Sequence, residues 1–202
     1  MTKTAKYVAL LAAAMALHGV SVRAADQTIL GKLLLVKDPA PDQAPDPTRR
    51  KIKVAGKESP STATIAGDPT VGGASLRVIA NGANDYDETY PMPAAAWVNI
   101  GNEVLKYSDS AGLHGPVVKA VVVARSGRFV FKAIVLGRNG TVTVEAPNPG
   151  TDGAAVFAIA GGDTYCMVFG GAAGGTVVNF PSGNPFRVFK VRNATAEPGC
   201  PA

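Results

Sequence analysis

The stretch VVKAVVVARSGRFVFKAIVL, residues 117–136, decides the fold. Two runs rich in valine, isoleucine and phenylalanine lie on either side of Ser126-Gly127, a dipeptide typical of tight turns. Such residues favour the pleated, half-buried surface of a sheet, and the short turn between them brings the runs side by side. The stretch therefore predicts a β-hairpin.

Similar strand signals continue on both sides of this hairpin, separated by turn residues. They are residues 28–37, 50–54, 74–81, 97–100, 104–108, 141–146, 154–160, 164–169, 176–180 and 186–191. A second hairpin is predicted where Arg138-Asn139-Gly140 joins 133–137 to 141–145. No helical period of useful length follows residue 25, and the chain holds 23 glycines and 15 prolines. We expect an all-β fold, a single-domain antiparallel β-sandwich over residues 25–202, with a β-barrel as the alternative.

The first residues of the chain follow the pattern of a secretory signal peptide. Lys3 and Lys6 precede an apolar run over residues 7–17, and Val22-Arg23-Ala24 fits a small-x-small cleavage pattern. That run is shorter than the about 20 residues needed to span a bilayer. We therefore predict a signal-peptide helix over residues 1–24, cleaved before Ala25, no transmembrane anchor after cleavage, and a secreted or periplasmic bacterial protein.

Four prolines between residues 38 and 49 predict an extended surface loop there.

The net charge of the exported part is small. Loss of the signal peptide lowers the formal net charge from +5 to +2, because Lys3, Lys6 and Arg23 leave with it. So small a net charge argues against nucleic acid as a partner.

A local basic group leaves two interpretations open. Its members could meet an anionic surface such as polysaccharide or lipid headgroups, or could form the solvated face of one short strand. They are Arg49, Arg50, Lys51, Lys53 and Lys57.

The two cysteines, Cys166 and Cys200, both lie in the exported part, where a disulfide can form. The chain-entropy relation gives about 4 kcal/mol for closing a loop of this length. Alternation along the strand puts Cys166 with Thr164 and Val168 on one face, which should then lie towards the C-terminal tail. Two free thiols are the alternative.

The residues required by several catalytic chemistries are missing. After removal of the leader His114 is the one histidine left, and it lies in a turn, so neither a multi-histidine metal site nor a Ser-His-Asp triad is expected. The run 170–175, GGAAGG, lacks the lysine and the Ser or Thr of a phosphate-binding loop and is interpreted as a connection between strands. We predict no catalytic residue.

The segment NDYDET, residues 84–89, carries the candidate binding residues. Tyr86, Asp87 and Tyr90 combine aromatic faces with a carboxylate, as many sugar-binding surfaces do. Asp85, Asp87 and Glu88 could hold a structural calcium ion, although their spacing does not match an EF-hand loop. No other cofactor is expected. The alternative for the aromatic group, which includes Trp97 and Tyr107, is the core of the sandwich.

Several of these motifs resemble a set of uncharacterised exported bacterial β-domain proteins. The resemblance covers residues 74–201 and rests on Trp97, VLKYSDSAGLHGPV, PNPGTDG, GGDTYC and the terminal GCP. It implies an exported β-rich domain and transfers no catalytic residue. We thus predict a binding or structural module, with a cell-envelope or extracellular glycan as the suggested ligand. A carboxylate-dependent hydrolase acting on polysaccharide and an extracellular assembly protein are the alternatives.

Overall fold

The computed structural model of the 202-residue chain describes residues 24–39, 46–180 and 187–202. Two β-sheets face each other, as predicted, and neither closes into a barrel. The smaller sheet has the strand order β1-β11-β10-β4-β5 and the larger has the order β12-β13-β2-β3-β9-β8-β7-β6.

All pairings are antiparallel except that of β1 with β11. The strands are β1 (Asp26–Thr28), β2 (Gly31–Asp38), β3 (Lys51–Glu58), β4 (Ala74–Gly82), β5 (Tyr86–Met92), β6 (Trp97–Asn99), β7 (Val104–Ser108), β8 (Val117–Arg125), β9 (Arg128–Leu136), β10 (Gly150–Ile159), β11 (Thr164–Gly170), β12 (Thr176–Phe180) and β13 (Arg187–Arg192). A four-residue helix, α1 (Pro69–Gly72), precedes β4.

The hairpin predicted at residues 117–136 is confirmed. β8 and β9 pair from Val117 to the turn, where Arg125 lies opposite Arg128. Ser126 and Gly127 have φ angles of 55° and 65°, the left-handed values that a two-residue hairpin turn of this kind requires.

The core lies between the sheets and is rich in aromatic rings. Phe157 stacks on Phe131 and on Tyr165 at centroid distances of 4.8 and 5.9 Å, and Trp97 meets Tyr107 edge-on at 5.4 Å. Trp97 and Tyr107 are buried, which supports the core interpretation of these two rings.

The second predicted hairpin is wrong. Residues 141–146 alternate between exposed and buried as a strand would, yet they pair with none of the described strands. Side chains take the place of a neighbouring strand: Arg50 donates to the carbonyl oxygens of Val142 and Thr143, and Glu88 accepts from the Thr143 N–H. The segment is therefore extended and anchored without belonging to a sheet.

The disulfide between Cys166 and Cys200 is confirmed, with the two Cα atoms 5.1 Å apart. The C-terminal tail crosses the outer face of the smaller sheet, as the alternation in β11 predicted. It meets Thr28 of β1 through Glu197, β11 through the disulfide, and Arg77 of β4 through the Ala202 carbonyl oxygen.

Two predictions fall largely on residues that are not described. Residues 1–23 of the predicted signal peptide and residues 40–45 of the predicted loop lie outside the described ranges. Among the residues that are described, no helix is long and apolar enough to cross a membrane.

Candidate functional site

The structure distributes the predicted ligand-binding residues over both sides of β5. Tyr90 is 2% exposed, and its hydroxyl donates to Glu88 at 2.8 Å, so its ring face is not open to a sugar. Tyr86 is half-buried and donates to Glu145 at 3.0 Å. Asp87 faces outward and accepts hydrogen bonds from Nε and Nη2 of Arg77, which hold the pKa of this carboxyl below its usual value. Strand alternation thus places Asp87 on the opposite side of β5 from Tyr86 and Tyr90.

The three carboxylates predicted to hold calcium are likewise engaged separately. Asp85 accepts from the Gly82 N–H at 3.2 Å, Asp87 pairs with Arg77, and Glu88 accepts from Tyr90 and Thr143. Within the described ranges no three His, Cys, Asp or Glu side chains are grouped to hold a metal ion.

A buried ion network, unforeseen from the sequence, lies where β2, β3 and segment 141–146 meet. Arg50 is 4% exposed and pairs with Asp38 at 3.2 Å and with Glu145. Arg50 also donates to two main-chain carbonyls, so its charge is compensated on several sides. The solvated face of a strand was one of the two interpretations of the basic group around β3. Because Arg50 is buried in this network, it does not belong to such a face.

The largest concentration of charge is on the outer face of the larger sheet. Pairing brings basic side chains from six strands onto this one face. They are Lys37 of β2, Lys51, Lys53 and Lys57 of β3, Lys106 of β7, Lys119 and Arg125 of β8, Arg128 and Lys132 of β9, and Lys190 and Arg192 of β13. We call this surface the cationic face. The outward positions of the described strands of this sheet include no acidic residue.

The cations of the face lie at regular intervals across the strands. One row runs Lys190, Leu35, Lys53, Ile134 and Lys119, each residue being the register partner of the next. Since neighbouring strands are about 4.8 Å apart, the lysines of this row recur about every 10 Å. Half-buried aliphatic side chains separate them.

The basic side chains lie close enough to affect one another. The pKa of Lys51 is lowered, first by partial burial and then by the charges of Lys53, Lys37 and Arg138. Repulsion of this kind favours the binding of an anion, which would offset it.

The smaller sheet has the opposite character. Its strands carry Asp26, Asp87, Glu88 and Asp152, and Arg77 is their one basic residue. The sandwich is thus polarised, and the small net charge hides two faces of opposite sign.

A groove of ≈ 580 Å³ opens beside the C-terminal tail. Its residues include Lys32, Lys57, Glu58 and Glu197. Partial desolvation and the charge of the neighbouring Glu58 raise the pKa of Glu197.

Other predicted features occupy supporting positions. His114 lies in the loop before β8, where its main-chain N–H donates to the Asp109 carboxylate at 2.8 Å. The GGAAGG run forms a short 3-10 turn between β11 and β12. Neither adds a chemical group to the cationic face.

Comparison of the chain with protein-family models, with curated proteins and with solved structures finds no match. The cationic face is therefore the candidate functional site. A sequence signal for it existed in the basic group around β3, but only the strand pairing shows that β13, β7, β8 and β9 extend it.

Proposed function

We propose that the protein is an exported binding module that holds an anionic polysaccharide of the cell envelope or extracellular space on its cationic face. The observation that carries the proposal is the row of lysines across β13, β3 and β8, with no acid among the outward residues of the described strands of the larger sheet. The disulfide is compatible with an extracellular or periplasmic location.

The shape of the face favours a polymer over a small molecule. Eight strands give a broad surface, and the lysines recur at about the length of a disaccharide unit. An acidic polysaccharide repeats its carboxylates or sulfates at such intervals, and the aliphatic residues between the lysines can pack against the C–H faces of sugar rings. Many weak ion pairs along a chain then add to a useful affinity.

Other anionic partners fit this surface less well. Single-stranded nucleic acid is usually bound by aromatic side chains that stack on bases, whereas Phe180, on the edge strand β12, is the one outward aromatic residue on the described strands of this sheet. Insertion into a membrane needs protruding apolar side chains, and among the aliphatic residues at outward positions of the described strands of this sheet, only Val98, on the edge strand β6, is more than half exposed.

Binding to polygalacturonate at low salt tests the proposal, with a neutral glucan as the reference polymer. The variant Lys53→Gln/Lys190→Gln removes two charges from the central row. The matched control, Asn84→Asp/Thr89→Glu, changes the net charge by the same amount at two exposed positions, one in the turn between β4 and β5 and one on β5 of the opposite sheet. We expect the first variant to lose about tenfold or more in affinity, at about 1 kcal/mol per lysine, and the control to lose little.

Three results would contradict the proposal. One is equal loss of affinity in the two variants, which would indicate a general charge effect. Another is equal binding to the neutral glucan. The third is tighter binding to vesicles containing phosphatidylglycerol or to single-stranded DNA than to the polysaccharide, which would assign the face to a different partner.

A further inference from the structure

Asp163, in the turn before β11, is a buried carboxylate surrounded by neutral donors. It is 1% exposed. Its Oδ2 atom accepts from the Gln27 side-chain amide and from the Ala66 N–H, both at 2.7 Å, and lies 3.4 Å from the Tyr165 hydroxyl. In the described part of the chain, no Lys, Arg or His side chain forms an ion pair with it. Burying a carboxylate without a neighbouring cation costs free energy.

The remaining oxygen of Asp163 faces the main chain at Ala25. The Ala25 nitrogen donates to Oδ1 at 3.0 Å, and the Ala25 carbonyl accepts from the Thr164 N–H at 3.0 Å. Ala25 is thereby held through both its main-chain nitrogen and its main-chain carbonyl oxygen, and β1 begins at the next residue. Ala24, the residue before it, is exposed.

We propose that Asp163 is the receptor for a new α-ammonium group at Ala25, produced when a processing endopeptidase cuts the chain after Ala24. Water adds across the Ala24–Ala25 peptide bond: the C–N bond breaks, Ala24 leaves with a carboxylate, and the Ala25 amine takes up a proton. The nitrogen that donates as a neutral amide before the cut then carries a positive charge at the same place.

The cut turns a neutral hydrogen bond into a charge-assisted one at a buried carboxylate, where such bonds are strongest. Because β1 is only three residues long, its attachment to β11 depends on few main-chain bonds. The ion pair would fasten its first end, next to the place where Gln27 contacts Asp163 and Thr64. Processing would therefore complete the edge of the smaller sheet as well as release the chain.

The experiment expresses the full-length gene with its own leader and compares it with a gene in which Gly-Ser is inserted between Ala24 and Ala25. Intact mass identifies the first residue of each exported protein. The insertion keeps the Ala25 N–H but moves the charge two residues away. Both forms are also made with Asp163→Asn, which completes a double-mutant cycle measured by thermal unfolding.

We expect the protein with its own leader to begin at Ala25. We expect the insertion to lower its Tm by about 3 °C or more, and to have little effect in the Asp163→Asn background. A first residue other than Ala25, or the same change in Tm in both backgrounds, would overturn the proposal.

If Asp163→Asn does not fold, an NMR titration of the unsubstituted protein tests the proposal instead. The ¹³C shift of the Ala25 methyl group, followed by NMR as pH is raised, reports the pKa of the α-amine in the unsubstituted protein. Asp163 and Tyr165 are the titratable side chains in this cluster of contacts. Pairing with Asp163 should raise the α-amine pKa above its usual value of about 8, and a normal or lowered pKa would contradict the proposal.

Discussion

Lys37 of β2 and Lys51 of β3 are direct cross-strand partners on the outer face of the larger sheet. Like charges in this position destabilise a sheet. Partial burial lowers the pKa of Lys51, and the charges of Lys53 and Lys37 lower it further. The binding of an anion, as proposed for this face, would compensate such like charges.

Replacing Lys51 by glutamine should stabilise the free protein while weakening polysaccharide binding. Removing one of two facing cations should gain a few tenths of a kcal/mol in the free energy of unfolding, measured by urea denaturation at low salt. Lys119→Gln is the matched control, because the cross-strand partners of Lys119 are Ile134 and Ser108. A gain of the same size in both variants would show that the Lys37–Lys51 contact is not its source.

Removing the disulfide should release the C-terminal tail. The variant Cys166→Ser/Cys200→Ser should lose up to about 4 kcal/mol in the free energy of unfolding, since the bridge closes a loop with a sequence separation of 34. Urea denaturation measures the loss, and limited proteolysis should cleave the tail sooner. Dithiothreitol should reproduce the loss in the unsubstituted protein and leave the double variant unchanged. Equal stability with and without the bridge would contradict this account.

Truncating Arg50 should be among the most damaging single changes. Arg50→Ala leaves the buried Asp38 carboxylate without this cation and removes the donors that anchor segment 141–146. We expect a loss of about 3–5 kcal/mol in the free energy of unfolding. The neighbouring, exposed Arg49 provides the control, for which Arg49→Ala should cost less than about 0.5 kcal/mol. Similar losses in the two variants would contradict a structural role for the network.

The fold could be predicted from local patterns, whereas the surfaces could not. Turn residues and β-branched runs predict the hairpin of β8 and β9 because both signals are local. The same rules miss β5, whose acidic residues and Pro91 resemble a loop, although alternation directs Tyr90 and Met92 inward. These rules also predict a strand at 141–146. In the structure, main-chain groups of this segment bond instead to the side chains of Arg50 and Glu88.

The candidate sites depend on register between strands that are distant in sequence. Lys190 reaches the row of Lys53 only because β13 pairs with β2 and β2 with β3. The contact of Asp163 with Ala25 likewise spans a sequence separation of 138. No spacing rule within the sequence reports such contacts, and composition alone gives only a small net charge.

The stability of the tail should depend on pH through Glu197. Its pKa is raised above the ordinary value of 4.5, first by burial and then by the charge of Glu58, so folding favours its protonated form. The stability linked to this group is therefore fully present below about pH 4.5 and is lost as pH rises through the folded pKa. Glu197→Gln should consequently raise the urea midpoint at pH 7 and change it little at pH 4, while the amide oxygen still accepts from Thr28. Glu103→Gln, at an exposed turn before β7, should not show this difference between the two pH values. If Glu197→Gln lowered the urea midpoint at pH 7, the Glu197 carboxylate would stabilise the tail, which contradicts repulsion between Glu197 and Glu58.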